Sequence, residues 1–394
     1  MPNRERLLLR GLLPGAARPM DVLIVGNRIL RVTPSGRGVA DFGSPKAIIG
    51  PTLFDIQVNG AAGTPLQGPA MRPENVARIH ERLAAHGVSH WVPTIITASL
   101  EEMEDACRAI AQALHDRALA RRIPGIHLEG PWISPLNGPR GAHPAAHVRL
   151  PNIKVFDRLM KAAEGKILYT TVAPEIAGAL RFIRALRARG VMVSLGHHDA
   201  GAEQIAQAVD AGARMCTHLG NGASAMIHRH RNPLWPQLAD DRLAAAFIAD
   251  LHHLPAPALR AMIRAKGPER SILTSDCTPL AGMPPGAYDL FGARVELLPN
   301  GKIRLLGTDL LAGSGTLLPQ GVINAWKTAD LTLEEAFSCA VTIPARVLGV
   351  RLPHGIPQVG GRANLSVLET ESHQGEWRTH VRAAVIDGVL VKGR

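Results

Sequence analysis

Eight short apolar, β-rich runs recur between residue 50 and about residue 350, with helical segments between most of them. They are Thr52–Val58, His90–Ile96, Ile123–Glu129, Ile167–Val172, Val191–Leu195, Arg214–His218, Ala244–Ala249 and Ser271–Ser275. Strands that are apolar along their whole length belong to parallel sheets, whose crossover helices cover both faces. Eight strand–helix units predict an α/β fold, a closed (β/α)8 TIM barrel over residues 50–354. The helical segments carry the matching period. Val76, Ile79, His80 and Leu83 share one face. Ser99 and Glu102 form a capping box ahead of Met103, Cys107, Ile110 and Leu114. Leu180, Ile183 and Leu186 continue a stripe that Gly190 ends.

Two regions lie outside this alternation. Val22–Val25 and Arg28–Val32 flank a Gly26-Asn27 turn and read as a hairpin. Ala363–Glu369, His380–Ile386 and Val389–Lys392 read as strands, the last two joined at Asp387-Gly388. Neither end could bury a core alone. Residues 1–49 and 355–394 are therefore expected to form one small β-sandwich domain. A further hairpin, Arg294–Leu306 turned by Asn300-Gly301, is expected as an insertion near the barrel mouth.

Composition removes several classes of function. Hydrophobic residues at 46% exclude a disordered chain. No apolar run approaches the roughly 20 residues of a membrane span. The leucines of Met1–Arg10 are too few for a signal-peptide core, so a cytoplasmic location follows by default. Cys107, Cys216, Cys277 and Cys339 are scattered, against a disulfide framework or a cysteine zinc knuckle. The net charge is +11, but the arginines are spread over helix faces and aromatics are 4%, which argues against nucleic acid. Such a surface suits anionic small molecules or plain solvated helix faces.

Barrel active sites lie at the C-terminal ends of the strands. The first strand ends in Asp55-Ile56-Gln57-Val58-Asn59-Gly60, the third at Glu129, the fifth at His197 and the sixth at His218. The seventh ends at Asp250 to His253 and the eighth at Asp276. One Glu or His at a loop is ordinarily a polar group satisfied by water. One Glu and two His at equivalent strand ends form the ligand set of a catalytic zinc site, which keeps a fourth position open. Iron, manganese and cobalt accept the same ligand types. His198 follows His197 and points the other way on an extended chain, which suits an outer contact or solvent. Asp276 stands where a general base would take a proton from water and return it to a leaving amine. The competing role for an Asp after a strand is a helix N-cap.

These segments resemble the amidohydrolase superfamily and, within it, the N-acetylglucosamine-6-phosphate deacetylase family. The resemblance rests on Asp55 to Gly60, His127-Leu128-Glu129-Gly130-Pro131, Gly141-Ala142-His143, Ala173-Pro174-Glu175, Gly196-His197, Thr217-His218-Leu219-Gly220-Asn221, Ala249-Asp250, Ser275-Asp276 and Leu311-Ala312-Gly313-Ser314. Pro344-Ala345-Arg346 and Gly361 to Leu365 complete it, so it covers essentially the whole chain. Most amidohydrolases carry His-x-His in the first strand, holding a second metal; this chain has Gln57 and Asn59. Lys166 stands at the start of the fourth strand, so a bridging carbamylated lysine is also missing. One divalent metal is expected, as in the members that share Gln-x-Asn.

The resemblance implies further roles. His143 would bind the acetyl carbonyl or a sugar hydroxyl and stabilise the oxyanion. Asn221, the Gly222 amide and His253 would meet the sugar phosphate, with Gln57 and Asn59 also toward the substrate. Arg229-His230-Arg231 supplies two arginines, of which Arg231 matches a family residue that reaches the phosphate across a dimer interface. A homodimer is expected. The family has Asn-Ala-Met where this chain has Asn221-Gly222-Ala223, and the loop Gly222–Pro236 is rich in His and Arg, which leaves the sugar open. Rival readings are an amidohydrolase for unphosphorylated N-acetyl sugars, N-acyl amino acids or cyclic amides, and a non-catalytic barrel used as a binding module.

Overall fold

The computed structural model describes residues 6–393. Residues 1–5 of the leucine-rich start lie outside the described residues. The eight barrel strands are Leu53–Val58, Val88–Ile96, Ile126–Glu129, Ile167–Val172, Met192–Leu195, Ala213–Cys216, Ala244–Ile248 and Ser271–Thr274. They form one sheet in sequence order with every neighbouring pair parallel. The seam between the last strand and the first is closed by side chain and loop. Thr274 Oγ1 and the Ser275 amide donate to Asp55 Oδ1 at 2.8 and 3.1 Å. The Asn59 amide donates to the Cys277 carbonyl at 2.8 Å.

The helices bury the stripes their sequences prescribe. Pro73–Ala84 buries Val76, Ile79 and Leu83. Leu100–Ala113 buries Met103, Cys107 and Ile110, the Met and Ile side chains contributing roughly 1.5–3 kcal/mol each. Ser99 caps it by accepting from the Glu102 amide at 3.1 Å, but the return bond of a full capping box is not formed among the described residues. Ala179–Ala188 buries Phe182, Ile183 and Leu186, so its stripe is centred on Phe182 and leaves Leu180 half-buried. Gly190, at φ +74°, lets the chain leave that helix.

The two chain ends meet in one seven-stranded sheet. Its order is Val389–Gly393, Glu376–Ile386, Leu365–His373, Phe42–Pro51, Arg6–Leu12, Met20–Val25 and Arg28–Pro34. The expected hairpins are present. Two strands were not legible beforehand: Arg6–Leu12, and Phe42–Pro51, which links the two termini through its pairing with Leu365–His373. The sheet curls until Ile29 exchanges backbone hydrogen bonds with Gly361 and Gly360. It encloses a core of its own that includes Leu9, Ile24, Ile49, Val367 and Val385.

The insertion is larger than the hairpin read from sequence. Gly286–Leu290, Ala293–Leu297, Lys302–Leu305 and Leu311–Ser314 make a four-stranded antiparallel sheet. Its last strand returns to the barrel mouth beside Asp276, where the Ser314 amide donates to the Asp276 carbonyl at 3.2 Å.

Candidate active site at the strand ends

The third, fifth and sixth strands bring one carboxylate and two imidazoles together. Glu129 Oε1 lies 3.2 Å from His197 Nε2 and 2.8 Å from His218 Nε2, and the two Nε2 atoms are 3.2 Å apart. All three residues are buried. His197, His218 and Asp276 have φ of +52°, +26° and +50°. Left-handed backbone is unfavourable for a residue with a Cβ, by roughly 1–2 kcal/mol. Three such residues at strand ends are strain concentrated at one site.

The donor chemistry tests whether these residues suit a cation. His197 Nδ1 is 2.9 Å from the Pro139 carbonyl, and only an N–H can face a carbonyl there. In the neutral ring Nε2 is then a lone pair. It points at the Glu129 carboxylate, at His218 Nε2 and, also at 3.2 Å, at His143 Nε2. Converging lone pairs and a carboxylate call for a positive charge between them. Zinc–ligand bonds of about 2.0–2.2 Å at tetrahedral angles set donor atoms roughly 3.3 Å apart. The observed 2.8–3.2 Å separations fit that polyhedron.

His143 enters the same donor set. The donor atoms of Glu129, His143 and His197 lie within 4.8 Å of one another. Its Nδ1 bonds Thr97 Oγ1 at 3.0 Å, and burial, with His197 next, pushes its pKa down to about 3. It is therefore a neutral imidazole. The resemblance implied a substrate contact for it, and its Nε2, 3.2 Å from His197 Nε2, is at the cavity wall beside the donor group. Thr97, at the end of the second strand, was not singled out by sequence. A hydroxyl at the one early strand end with no assigned polar residue was the available signal.

Asp276 faces this group. Burial and then the charge of Glu129 push its pKa up to about 7. For Glu129 itself burial pushes upward, but hydrogen bonds and charge from His197 and His218 outweigh it and hold it well below the usual carboxylate range. For His218 burial pushes downward and the Glu129 carboxylate outweighs it, so the imidazole is raised.

Gln57 and Asn59 work on the carboxylates. Gln57 Nε2 donates to Glu129 Oε1 and to Asp276 Oδ1, each at 2.9 Å, and Asn59 Nδ2 donates to Asp276 Oδ1 at 2.8 Å. Asn59 also lines the cavity; Gln57, hydrogen-bonded to both carboxylates, is not on its wall.

The cavity above these residues holds about 330 Å³. Asn221, Gly222 and His253 are on its wall. His253 Nδ1 bonds Asp250 Oδ2 at 2.8 Å. Burial pushes Asp250 upward, but His253 outweighs it and brings the pKa to about 2. The extra histidine, His252, bonds the Asn300 carbonyl of the insertion at 3.1 Å. Gly222 packs on the His197 ring, where a Cβ would come 2.7 Å from Nδ1. His198 is buried and accepts from the Ala200 amide at 3.2 Å, so it is not a donor to the cluster. No Lys or Arg is among the described residues lining the cavity. Arg229 and Arg231 lie exposed on the loop beyond Gly222, outside the cavity wall of their own chain.

The amidohydrolase family pattern matches residues 48–394. The chain belongs to the amidohydrolase family. This amidohydrolase is 33% identical to the N-acetylgalactosamine-6-phosphate deacetylase of Escherichia coli O157:H7 over 82% of this chain and 84% of that protein. It is 32% identical to the N-acetylglucosamine-6-phosphate deacetylase of Bos taurus over 98% and 93%. Its fold superposes on a mutant N-acetyl-D-glucosamine-6-phosphate deacetylase of Mycobacterium smegmatis in complex with N-acetyl-D-glucosamine-6-phosphate. There the TM-score is 0.83 and the identity 30%, covering 98% of this chain and 100% of the other.

Proposed function

We propose that this amidohydrolase removes the acetyl group of an N-acetylated amino-sugar phosphate, converting N-acetylglucosamine-6-phosphate and water to glucosamine-6-phosphate and acetate. The observation that carries the reading is the buried Glu129–His197–His218 donor group set beside Asp276, one nitrogen of Gln57 touching both carboxylates. Glu129, His197 and His218 would hold one divalent cation, zinc by ligand type. When bound, the ion polarises the amide carbonyl and acidifies water. Gln57 and Asn59 present N–H donors to the carboxylates where a second metal would need lone pairs, which favours a single ion.

Asp276 is the proton carrier. Its Oδ1 is held by Gln57 and Asn59, which leaves Oδ2 to take a proton from water and pass it to the amine. A group titrating near neutrality can do both. His143 would donate to the carbonyl oxygen as it gains charge. Asn221, the Gly222 amide and His253 would bind the phosphate end. Among the described residues the cavity's own wall offers no arginine or lysine, so Arg231 of a second copy would complete the site in a homodimer. Exposed Met226 and Trp235 on the same loop supply apolar surface for that contact. The separate cores of the terminal sheet and the barrel support a terminal unit of 1–49 with 355–394 and a catalytic unit of 50–354. Four buried free thiols suit a reducing cytoplasm, and no helix among the described residues is long and apolar enough to cross a membrane.

Acetate release tests the reading. N-acetylglucosamine-6-phosphate should exceed the unphosphorylated sugar by roughly a hundredfold or more in kcat/KM. The galactosamine epimer is the second reading, favoured by the Escherichia coli O157:H7 relative. Asp276→Asn should abolish turnover with metal content unchanged. Retained activity would remove Asp276 from the mechanism.

A further inference from the structure

We propose that the enzyme accepts N-acyl groups longer than acetyl and seats them in an apolar annex of the catalytic cavity. The inference rests on the deacetylase reading and extends it to acyl-chain specificity. A second cavity of about 240 Å³ adjoins the first. Gly141, Ala142, Phe291, Leu310 and Ala312 line both. Beyond these shared residues the annex is walled by Leu290, Ala293 and Leu305 of the insertion and by Arg140.

Position decides the occupant. A Cβ on Gly141 would stand 3.2 Å from the His197 ring, so the annex opens beside the donor group where the scissile carbonyl must lie. The polar wall for sugar and phosphate comes from the loops after the sixth and seventh strands. The annex comes from the loop after the third strand and from the insertion. An acyl tail is the one apolar part of such a substrate, and this is the apolar region next to the reacting carbon. Arg140 turns two of its nitrogens away, Nη1 to the His143 carbonyl and Nη2 to Asn137 Oδ1. Its Nε is buried without a partner. A carboxylate-bearing sugar substituent is therefore the competing occupant.

The chemistry is unchanged by chain length. Water oxygen bonds to the acyl carbon, the C–N bond breaks, and a proton passes to the amine. The tail beyond the carbonyl affects only fit. Each methylene buried in an apolar site favours the longer substrate by about fourfold.

Free-amine release should be measured on N-acetyl-, N-propionyl- and N-butyrylglucosamine-6-phosphate. The expected result is a kcat/KM for the longer chains equal to acetyl or higher, up to about fourfold per methylene. Ala293 lines only the annex, so Ala293→Phe should lower the butyryl substrate by about tenfold relative to acetyl and spare acetyl. A wild-type enzyme that cleaves acetyl but disfavours butyryl by more than about tenfold overturns the annex while leaving the deacetylase reading intact. An equal effect of Ala293→Phe on both substrates also overturns it. So does turnover of a 3-O-lactyl N-acetyl substrate in place of the butyryl one. No turnover of any of them or of the N-acetylgalactosamine-6-phosphate epimer overturns the deacetylase reading, and the annex with it.

Discussion

Gln57 Nε2 lies 2.9 Å from Asp276 Oδ1 and, through the same nitrogen, 2.9 Å from Glu129 Oε1. One neutral amide thus joins the carboxylate of the donor group to the carboxylate that titrates near neutrality. A hydrogen bond to the charged form lowers a carboxyl pKa, so Gln57 opposes the upward push of burial on Asp276.

Gln57→Leu removes that donor from both carboxylates. The pKa of Asp276 should rise further, and a base with a raised pKa is ionised only at higher pH. The acid limb of the kcat/KM profile should move up by about one unit, with activity near pH 7 falling about fivefold. A pH–rate profile checks this; an unmoved limb would detach Gln57 from the base.

Removal of the cation should abolish turnover, and zinc should restore it. Glu129, His197 and His218 are then left as a buried cluster without the charge they converge on. The metal-free protein should melt lower, with about 4 kcal/mol of stabilisation returned when free zinc reaches 1,000 times its Kd. Thermal melts against buffered zinc measure both effects.

The Asp250–His253 pair makes a stability prediction with a defined sign. The pKa of Asp250 falls from an ordinary 3.8 to about 2 on folding. Its contribution of about 2 kcal/mol is complete above the unfolded value and is lost as pH falls from about 4 toward 2. Asp250→Asn should therefore destabilise by about that amount at pH 7 and by less near pH 3. Urea denaturation across that range reads the difference.

Gly222→Ala should loosen the donor group. The added Cβ meets His197 Nδ1 at 2.7 Å, and φ of +57° disfavours any side chain there. The His197 ring or the Gly222 loop must shift, which disturbs the fit of Nε2 to the donor group. Zinc affinity should fall by about tenfold or more, measured by competition with a chelating dye.

Lys266 is fully buried, its Nζ donating to the Gln237 and Asp240 carbonyls at 2.8 and 2.7 Å. Those carbonyls end the helix Leu234–Ala239, which follows the Gly222 loop. Lys266→Met should leave the Gln237 carbonyl unpaired, while the Asp240 carbonyl keeps the Leu243 amide at 3.1 Å, and destabilise by about 1–3 kcal/mol. Calorimetry checks the loss.

Much of this was readable from the residues. The eight apolar runs mark the barrel strands to within a few positions, because strands buried on both faces leave a continuous apolar signal. Arg6–Leu12 and Phe42–Pro51 gave no comparable signal. Phe42–Pro51 opens with exposed and half-buried residues and becomes apolar only at its end, and one of its two partners, Leu365–His373, lies hundreds of residues away in sequence. The insertion showed only its Asn300-Gly301 turn, since its outer strands alternate weakly around a small core.

The sequence by itself determined which chemical groups stand at which strand ends: Glu129, His197, His218 and Asp276 each follow an apolar run that could only be a barrel strand. Side-chain direction was decided by the tertiary structure alone. Left-handed backbone at His197, His218 and Asp276, the Pro139 carbonyl that fixes one ring, and the turn of Gln57 onto two carboxylates depend on packing between distant loops. Residue type and spacing encode where a strand ends. The aim of a side chain within a few tenths of an ångström is set by contacts that linear order does not contain.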